Sequence, residues 1–170
     1  MTPVLRRQKG ETERHYLARK IFLPYLEAKQ KESSNSKLLA EFPPYGGRAR
    51  SDLAVITEKR PVAEVEIWVE IQDTKLSKID WREKLAKVDE AFKPKSTYVV
   101  ITENLASDSI RILKIVSTTL KNYDFYLVDT KKALIYNLIW GQNVDLFRIE
   151  VKNGEIYKKR IKVSLEHFLA

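Results

Sequence analysis

Two carboxylates and an amide form the most chemically suggestive group in this sequence. Asp52 opens a short apolar run, and Glu70 and Gln72 lie further along, on one face of a longer segment. That segment, Val62 to Gln72, alternates apolar and polar residues with the period of a strand. Pro61 cannot donate a ladder hydrogen bond, so it belongs in the turn between the two runs. A hairpin centred there sets Asp52 opposite Glu70, within a residue or two.

Opposed carboxylates at this position would need a positive partner. Directly opposed side chains on two strands have Cβ atoms only about 5 Å apart, so Asp52 and Glu70 should repel each other. A divalent cation relieves such repulsion, and oxygen ligands suit Mg²⁺ or Mn²⁺. A hairpin centred on Lys59 would instead set Glu66 opposite Asp52. In a further interpretation, the acidic face from Glu64 to Glu70 simply faces water and the chain is an interaction protein.

The same residues resemble the signature of the PD-(D/E)XK nuclease superfamily, an Asp at the start of one strand followed by Glu-x-Lys on the next. Ser51-Asp52 stands for the first half and Glu70-Ile71-Gln72 for the second, with Ser51 replacing the proline and Gln72 replacing the lysine. The resemblance implies a metal-dependent DNA endonuclease. Asp52 and Glu70 would hold one or two Mg²⁺ (or Mn²⁺) ions, and Gln72 would orient the attacking water or ligate through its carbonyl oxygen. Gln72 equally suits a non-catalytic nucleic-acid-binding module on the same fold.

The N-terminal segment offers one more carboxylate. A helix is expected from near Glu11, with an apolar stripe formed by Leu17, Ala18, Ile21, Phe22, Tyr25 and Leu26. Glu13 lies four residues before Leu17, which places it on that stripe, where it would bind a metal, snorkel or cap the first turn. The run Lys9 to Arg14 resembles the Lys-Gly…Glu-Arg opening of archaeal Holliday junction resolvases. That resemblance implies that Glu13 joins the active site, that the substrate is junction-like, and that the protein is a homodimer.

The charge balance favours DNA as the partner. The chain has 170 residues with 31 Lys and Arg against 23 Asp and Glu, a net charge of +8. Arg48 and Arg50 flank Asp52 and Lys75 follows Gln72, so these three are expected to bind phosphates, with Lys75 the nearest substitute for the motif lysine. The alternative is a Lys/Glu-rich surface of the thermophile type.

Several kinds of site and location are not expected. The sequence has no cysteine, which excludes disulfides and Cys-based zinc sites. His15 and His167 are far apart in sequence, so a histidine-based catalytic or metal site is not expected. No apolar run of about 18 residues and no signal-peptide core is present, which predicts a cytoplasmic protein with no membrane association.

The remaining pattern predicts one α/β domain, with a mixed central sheet flanked by helices. The first helix is expected to be kinked or interrupted at Pro24. The further elements are strands at Lys37–Phe42, Leu53–Ile56 and Val62–Gln72, a helix at Leu76–Phe92, a strand at Thr97–Thr102, a helix from Ser107 or Asp108 to Lys121, and a strand at Phe125–Val128. The order αβββαβ followed by αβ resembles the core order of the superfamily over about residues 10 to 130.

Residues 131 to 170 are expected to form a β-rich extension. Leu134–Trp140 is predicted as a strand or a short helix. Val144–Val151 and Glu155–Val163 flank Asn153-Gly154, a strong signal for a hairpin turn. The extension would lengthen the sheet, contact nucleic acid, form a dimer interface, or remain a solvated hairpin.

Overall fold

The structure is a computed structural model that describes residues 4–31, 36–40, 52–57, 64–73, 83, 95–102, 124–139 and 145–161. Within these ranges the chain is mixed α/β, with one long helix and eight strands. The elements are α1 (Glu13–Gln30), β1 (Ser36–Ala40), β2 (Leu53–Thr57), β3 (Glu64–Gln72), β4 (Lys95–Thr102), β5 (Asp124–Asp129), β6 (Leu134–Ile139), β7 (Asp145–Lys152) and β8 (Glu155–Ile161). The helices predicted at 76–92 and 107–121 lie outside the described residues, apart from Glu83.

The start of α1 is fixed by its cap. Thr12 has an extended backbone, and its hydroxyl accepts a hydrogen bond from the His15 N–H at 3.1 Å. Glu13 is the first helical residue, where a negative charge favours the helix dipole. The helix continues through Pro24, which is exposed, so the predicted interruption there is wrong.

The eight strands form a single mixed sheet in which each strand pairs with the next one along the chain. Strands β1, β2 and β3 are antiparallel, β3–β4 and β4–β5 are parallel, and the pairs from β5 to β8 are antiparallel. The predicted mixed sheet is therefore confirmed. The segment that could be strand or helix is strand β6, and it extends the sheet together with the hairpin that follows.

Helix α1 packs its apolar side on one face of this sheet. Its buried Phe22 and Tyr25 contact Tyr126 of β5, with ring centroids 5.2 and 5.1 Å from the Tyr126 ring. The core on this face also includes Ala18, Leu26, Leu38, Leu53, Val55, Val69, Ile71, Ile101, Val128, Ile135 and Ile149. Burying each large apolar side chain stabilises the fold by about 1.5–3 kcal/mol. This packing holds the N-terminal end of α1 against the strands that carry the predicted site.

The last two strands are joined by the predicted tight turn. Asn153 and Gly154 have φ values of 52° and 77°, and positive φ at both central residues is typical of a type I′ hairpin. Strand β8 pairs only with β7 among the described strands and is largely exposed.

Candidate functional site

Asp52 directly precedes β2 and lies beside the part of β3 that carries Glu70. Leu53 pairs with Val69, and continuing this register by one residue sets Asp52 across from Glu70. The Asp52 N–H also donates to the Val69 carbonyl at 3.0 Å, which ties the residue to β3. The hairpin register predicted from Pro61 is therefore confirmed.

The alternative register, with Glu66 opposite Asp52, is wrong. Glu66 lies further along β3 and accepts a hydrogen bond from the Ser36 hydroxyl of the first strand at 2.9 Å. The β2–β3 register shifts between Val55 and Ile56, so the pairing of Leu53 with Val69 beside Asp52 is unaffected.

Asp52 is held from two sides. One carboxylate oxygen, Oδ2, accepts a hydrogen bond from the Ile71 N–H at 2.7 Å. The other, Oδ1, lies 3.3 Å from Nε2 of His15 on the helix. Asp52 keeps 24% of its side chain exposed, so it remains accessible from solvent.

Glu70 and Gln72 lie on the same strand and are both buried, with 7% of each residue exposed. Glu70 accepts a hydrogen bond from the indole N–H of Trp68 at 2.7 Å. The interpretation in which the acidic face of β3 is open to water is therefore wrong at Glu70. A carboxylate removed from water in this way needs polar or charged partners.

The sequence-based reasoning missed a series of contacting charged side chains, Arg19, Glu11 and His15, that leads from α1 to Asp52. Arg19 donates to both oxygens of Glu11, with Nε–Oε1 and Nη2–Oε2 distances of 2.7 and 2.6 Å. Glu11 Oε1 also contacts His15 Nδ1 at 2.6 Å, and His15 Nε2 faces Asp52. The exposed fraction of these side chains rises toward Asp52, from 2% for Arg19 and 6% for Glu11 to 20% for His15.

The contacts of Glu11 and His15 set their protonation states. Burial raises the pKa of Glu11, but hydrogen bonds from Arg19, the Gln8 N–H and His15 outweigh burial and hold the pKa at about 2. The hydrogen bond with Asp52 raises the pKa of His15 to about 9, against the effect of burial and with further support from Glu11. His15 is therefore positively charged at neutral pH, and it neutralises Asp52.

The apolar stripe predicted that Glu13 lies on the buried side of α1, and this prediction is wrong. Glu13 is exposed at the first helical residue, and Glu11 is the carboxylate that turns inward. A signal for the correct residues was present, because Glu11, His15 and Arg19 recur every four residues, the spacing of neighbours on one side of a helix. The proposed catalytic role of Glu13 stays a prediction.

The N-terminus of α1 is attached to the end of β3. The Thr12 hydroxyl donates to Asp73 Oδ2 at 2.5 Å, and Arg14 lies 3.7 Å from Asp73 Oδ1. Asp73 directly follows Gln72, so these contacts keep the first turn of α1 beside the strand ends that carry Glu70 and Gln72.

The motif residues offer carboxylate and amide oxygens, the type of ligand that Mg²⁺ takes in proteins. Asp52 and Glu70 accept hydrogen bonds from the Ile71 N–H and the Trp68 indole, respectively. No group of three His, Cys, Asp or Glu side chains that could hold a metal is found in the part of the chain that the structure describes. An ion such as Mg²⁺ does not require one, since it is commonly held by one or two carboxylates, waters and substrate phosphates. Arg48, Arg50 and Lys75 lie outside the described residues.

Comparison with known proteins gives no family for this chain. No family model matches the sequence, and no curated protein or solved structure matches it. Among the described residues, no helix has the length and apolar character needed to cross a membrane.

Proposed function

We propose that this chain is a metal-dependent DNA endonuclease that hydrolyses phosphodiester bonds. The observation that carries the proposal is the β2–β3 register, which, continued by one residue beyond the Leu53–Val69 pair, sets Asp52 across from Glu70. In this proposal the two carboxylates hold Mg²⁺ or Mn²⁺, and Gln72 orients the attacking water or ligates through its carbonyl oxygen. When bound, the ion would polarise the phosphoryl oxygen and lower the pKa of the attacking water.

The residues around the two carboxylates have defined parts in this proposal. The Ile71 N–H and His15 fix the orientation of Asp52, and the Trp68 indole fixes Glu70. Such fixed ligands need no rearrangement when an ion and a substrate bind, which favours catalysis. Glu13, exposed at the start of α1, is the proposed supporting carboxylate.

The strand arrangement supports the proposal. An antiparallel β1–β2–β3 unit followed by parallel β4 and β5 is compatible with the αβββαβ core order that the PD-(D/E)XK resemblance implies. We further propose that Arg48, Arg50 and Lys75 bind DNA phosphates, in keeping with the net charge of +8.

The resemblance to junction resolvases extends the proposal to a branched substrate and a homodimer, because two symmetric cuts require two sites. The candidate interface is the apolar segment Leu134–Trp140 with the adjoining hairpin, and its strand β6 is unsuitable, since β6 lies between β5 and β7 and its Ile135 and Tyr136 are buried. The exposed strand β8 is the better candidate. Light scattering with and without DNA should give the mass of a dimer, and a monomer in both conditions would remove the resolvase-like version.

A cleavage assay with matched variants tests the nuclease. Labelled linear, branched and single-stranded DNA would be incubated with Mg²⁺ or Mn²⁺, with and without a chelator. Asp52→Asn and Glu70→Gln keep the size of each side chain and one acceptor oxygen, and both should abolish cleavage while sparing DNA binding. Glu66→Gln is the matched control on the same strand and should cleave normally. If all three variants cleave like the wild type, these carboxylates are not the catalytic ones and the proposal fails.

A second function is favoured by one observation at the same site. Gln72 replaces the motif lysine and His15 already neutralises Asp52, an arrangement that a non-catalytic nucleic-acid-binding module could keep without a metal. The assay separates the two, because this alternative predicts binding of DNA without cleavage in either metal.

A further inference from the structure

We propose that the N-terminal arm, residues 4–10, binds the phosphate backbone of DNA through Arg6, Arg7 and Lys9. The inference rests on the proposed function only in taking DNA as the partner, and it requires neither a bound metal nor cleavage. It goes beyond the proposed function by naming a DNA-binding surface formed by the N-terminal end of the described chain.

The arm presents three positive side chains to solvent. Arg6, Arg7 and Lys9 are exposed and fall within four consecutive residues. In the ranges that the structure describes, none of the three forms an ion pair with an acidic side chain. Glu11, the nearest carboxylate in sequence, is paired with the buried Arg19 instead. The described residues therefore leave the positive charge of the arm without local neutralisation.

The backbone of the arm is fixed against the start of α1. The Arg6 carbonyl accepts a hydrogen bond from Arg19 Nη2 at 3.0 Å, and the Gln8 N–H donates to Glu11 Oε2 at 3.0 Å. The Gln8 carbonyl accepts from the Glu11 N–H at 3.1 Å, and Leu5 packs against the core. Because the arm is ordered before a ligand arrives, binding costs less conformational entropy than it would for a free tail.

The same contacts place the arm beside the candidate site. Glu11 Oε1 contacts His15 Nδ1 at 2.6 Å, and His15 Nε2 lies 3.3 Å from Asp52 Oδ1. Thr12, which follows Glu11, is hydrogen-bonded to Asp73 at the end of β3. Phosphates recur every 3.4 Å or so along the axis of each DNA strand, so a strand that passes Asp52 would bring further phosphates to the arm.

Charge complementarity selects the partner. Arginine guanidinium groups match phosphate oxygens in a bidentate geometry, and contacts to phosphates are the main source of DNA affinity. The net charge of +8 on the whole chain favours the same kind of partner. An acidic peptide offers carboxylates to the same side chains, and competition distinguishes it from DNA.

The first measurement removes charge from the arm while keeping its anchor. Binding of labelled duplex DNA would be followed by fluorescence anisotropy with a chelator present, so that neither metal binding nor cleavage contributes. The variant Arg6→Gln with Lys9→Gln loses two positive charges and keeps Arg7, whose Nε donates to the Glu11 carbonyl at 3.2 Å. We expect the log–log salt slope to fall by roughly 2 and the Kd at about 50 mM salt to rise about tenfold or more.

A matched control separates position from net charge. Lys158 and Lys159 are exposed on β8, which lies five strands away from β3 in the sheet order. The variant Lys158→Gln with Lys159→Gln has the same net charge as the arm variant. Its salt slope should stay within about 0.5 of the wild-type slope.

A footprint on the wild-type chain gives an independent measurement. Lysine acetylation would be followed by mass spectrometry with and without saturating duplex DNA. Lys9 should be protected several-fold, because its ammonium would lie against phosphates, whereas Lys158 should react at the same rate in both samples. This measurement decides the question even if the arm variant does not fold.

Each outcome bears on the two proposals separately. Weaker binding by the arm variant and protection of Lys9, in a protein that cleaves no DNA, would support the inference and remove the nuclease. An unchanged slope in the arm variant, equal losses in the two variants, or an unprotected Lys9 would overturn the inference and leave the nuclease. Polyglutamate that competes with DNA at equal charge concentration would assign the arm to an acidic protein partner and overturn it as well. No DNA binding at low salt, with or without Mg²⁺, would overturn both.

Discussion

Replacing Arg19 with methionine should show how much the buried ion pair of α1 stabilises the fold. Arg19 is 2% exposed and forms two hydrogen bonds to Glu11, whose pKa is held at about 2 despite its burial. Moving a carboxyl pKa from 4.5 to about 2 on folding corresponds to at most about 3 kcal/mol of stability. Removing one partner of a buried pair typically costs about 3–5 kcal/mol. We therefore expect Arg19→Met to lose about 3 kcal/mol at pH 7.

Urea denaturation of a double-mutant cycle would measure this. Arg19→Met and Glu11→Gln should each be destabilised, while the double variant should recover most of the loss because neither charge then remains buried alone. Arg14→Met is the matched control on the same helix. Arg14 lies 3.7 Å from Asp73 with 41% of its side chain exposed, so its loss should be under about 1 kcal/mol.

The free energy of unfolding should depend on pH in opposite directions in the wild type and in Arg19→Met. The wild type should keep the contribution of Glu11 above pH 4.5 and lose it as the pH falls toward 2, because the unfolded state binds the proton first. In Arg19→Met the buried Glu11 carboxyl loses its main partner and its pKa rises above that of the unfolded state. The contribution of Glu11 to the stability of this variant should therefore grow as the pH falls. If Arg19→Met stays within 1 kcal/mol of the wild type and keeps a parallel pH profile, the account of this ion pair is incorrect.

Two further predictions concern the side chains of Arg48 and Arg50 and the hairpin turn between β7 and β8. DNA affinity should fall steeply with salt, and the combined change Arg48→Ala and Arg50→Ala should reduce the log–log slope by roughly 2, so a slope near zero in the wild type would exclude phosphate contacts. Gly154 has φ +77° and an added Cβ would lie 2.8 Å from the movable Lys31 ammonium, so Gly154→Ala should cost about 1–2 kcal/mol of unfolding free energy. Gly10→Ala, at φ +81° with open space around it, isolates the backbone part of that cost, and equal losses would show that Lys31 moves aside.

The strands and their register were predictable because the signals are local. Pro61 cannot donate a ladder hydrogen bond, so the sequence predicted a turn there, and a hairpin centred on it sets Asp52 opposite Glu70. Asn153-Gly154 likewise specified the last hairpin, since both residues tolerate positive φ. Each of these pairings depends on residues close in sequence, where turn chemistry and alternation act together.

The helix side of the site was misassigned because the phase of the stripe was taken from the wrong residue. Counting back from Leu17 led to Glu13, but Leu17 is only half-buried. The buried residues Phe22 and Leu23 set the inner side, and four-residue steps back from Leu23 lead through Arg19 and His15 to Glu11. The apolar residues alone do not show which side of α1 faces the sheet, because the buried Arg19 is a polar residue and is left out of an apolar pattern.

The contact between His15 and Asp52 lies further still from what a sequence pattern can show. It joins residues from a helix and a strand, and their meeting depends on how α1 packs across the whole sheet. The strand motif predicts a lysine at position 72, where Gln72 brings no charge. The described residues instead bring positive charge from the helix, through His15 and Arg19. His15 pairs with Asp52 and Arg19 pairs with Glu11, so the positive charge at this end of the sheet depends on the packing of α1.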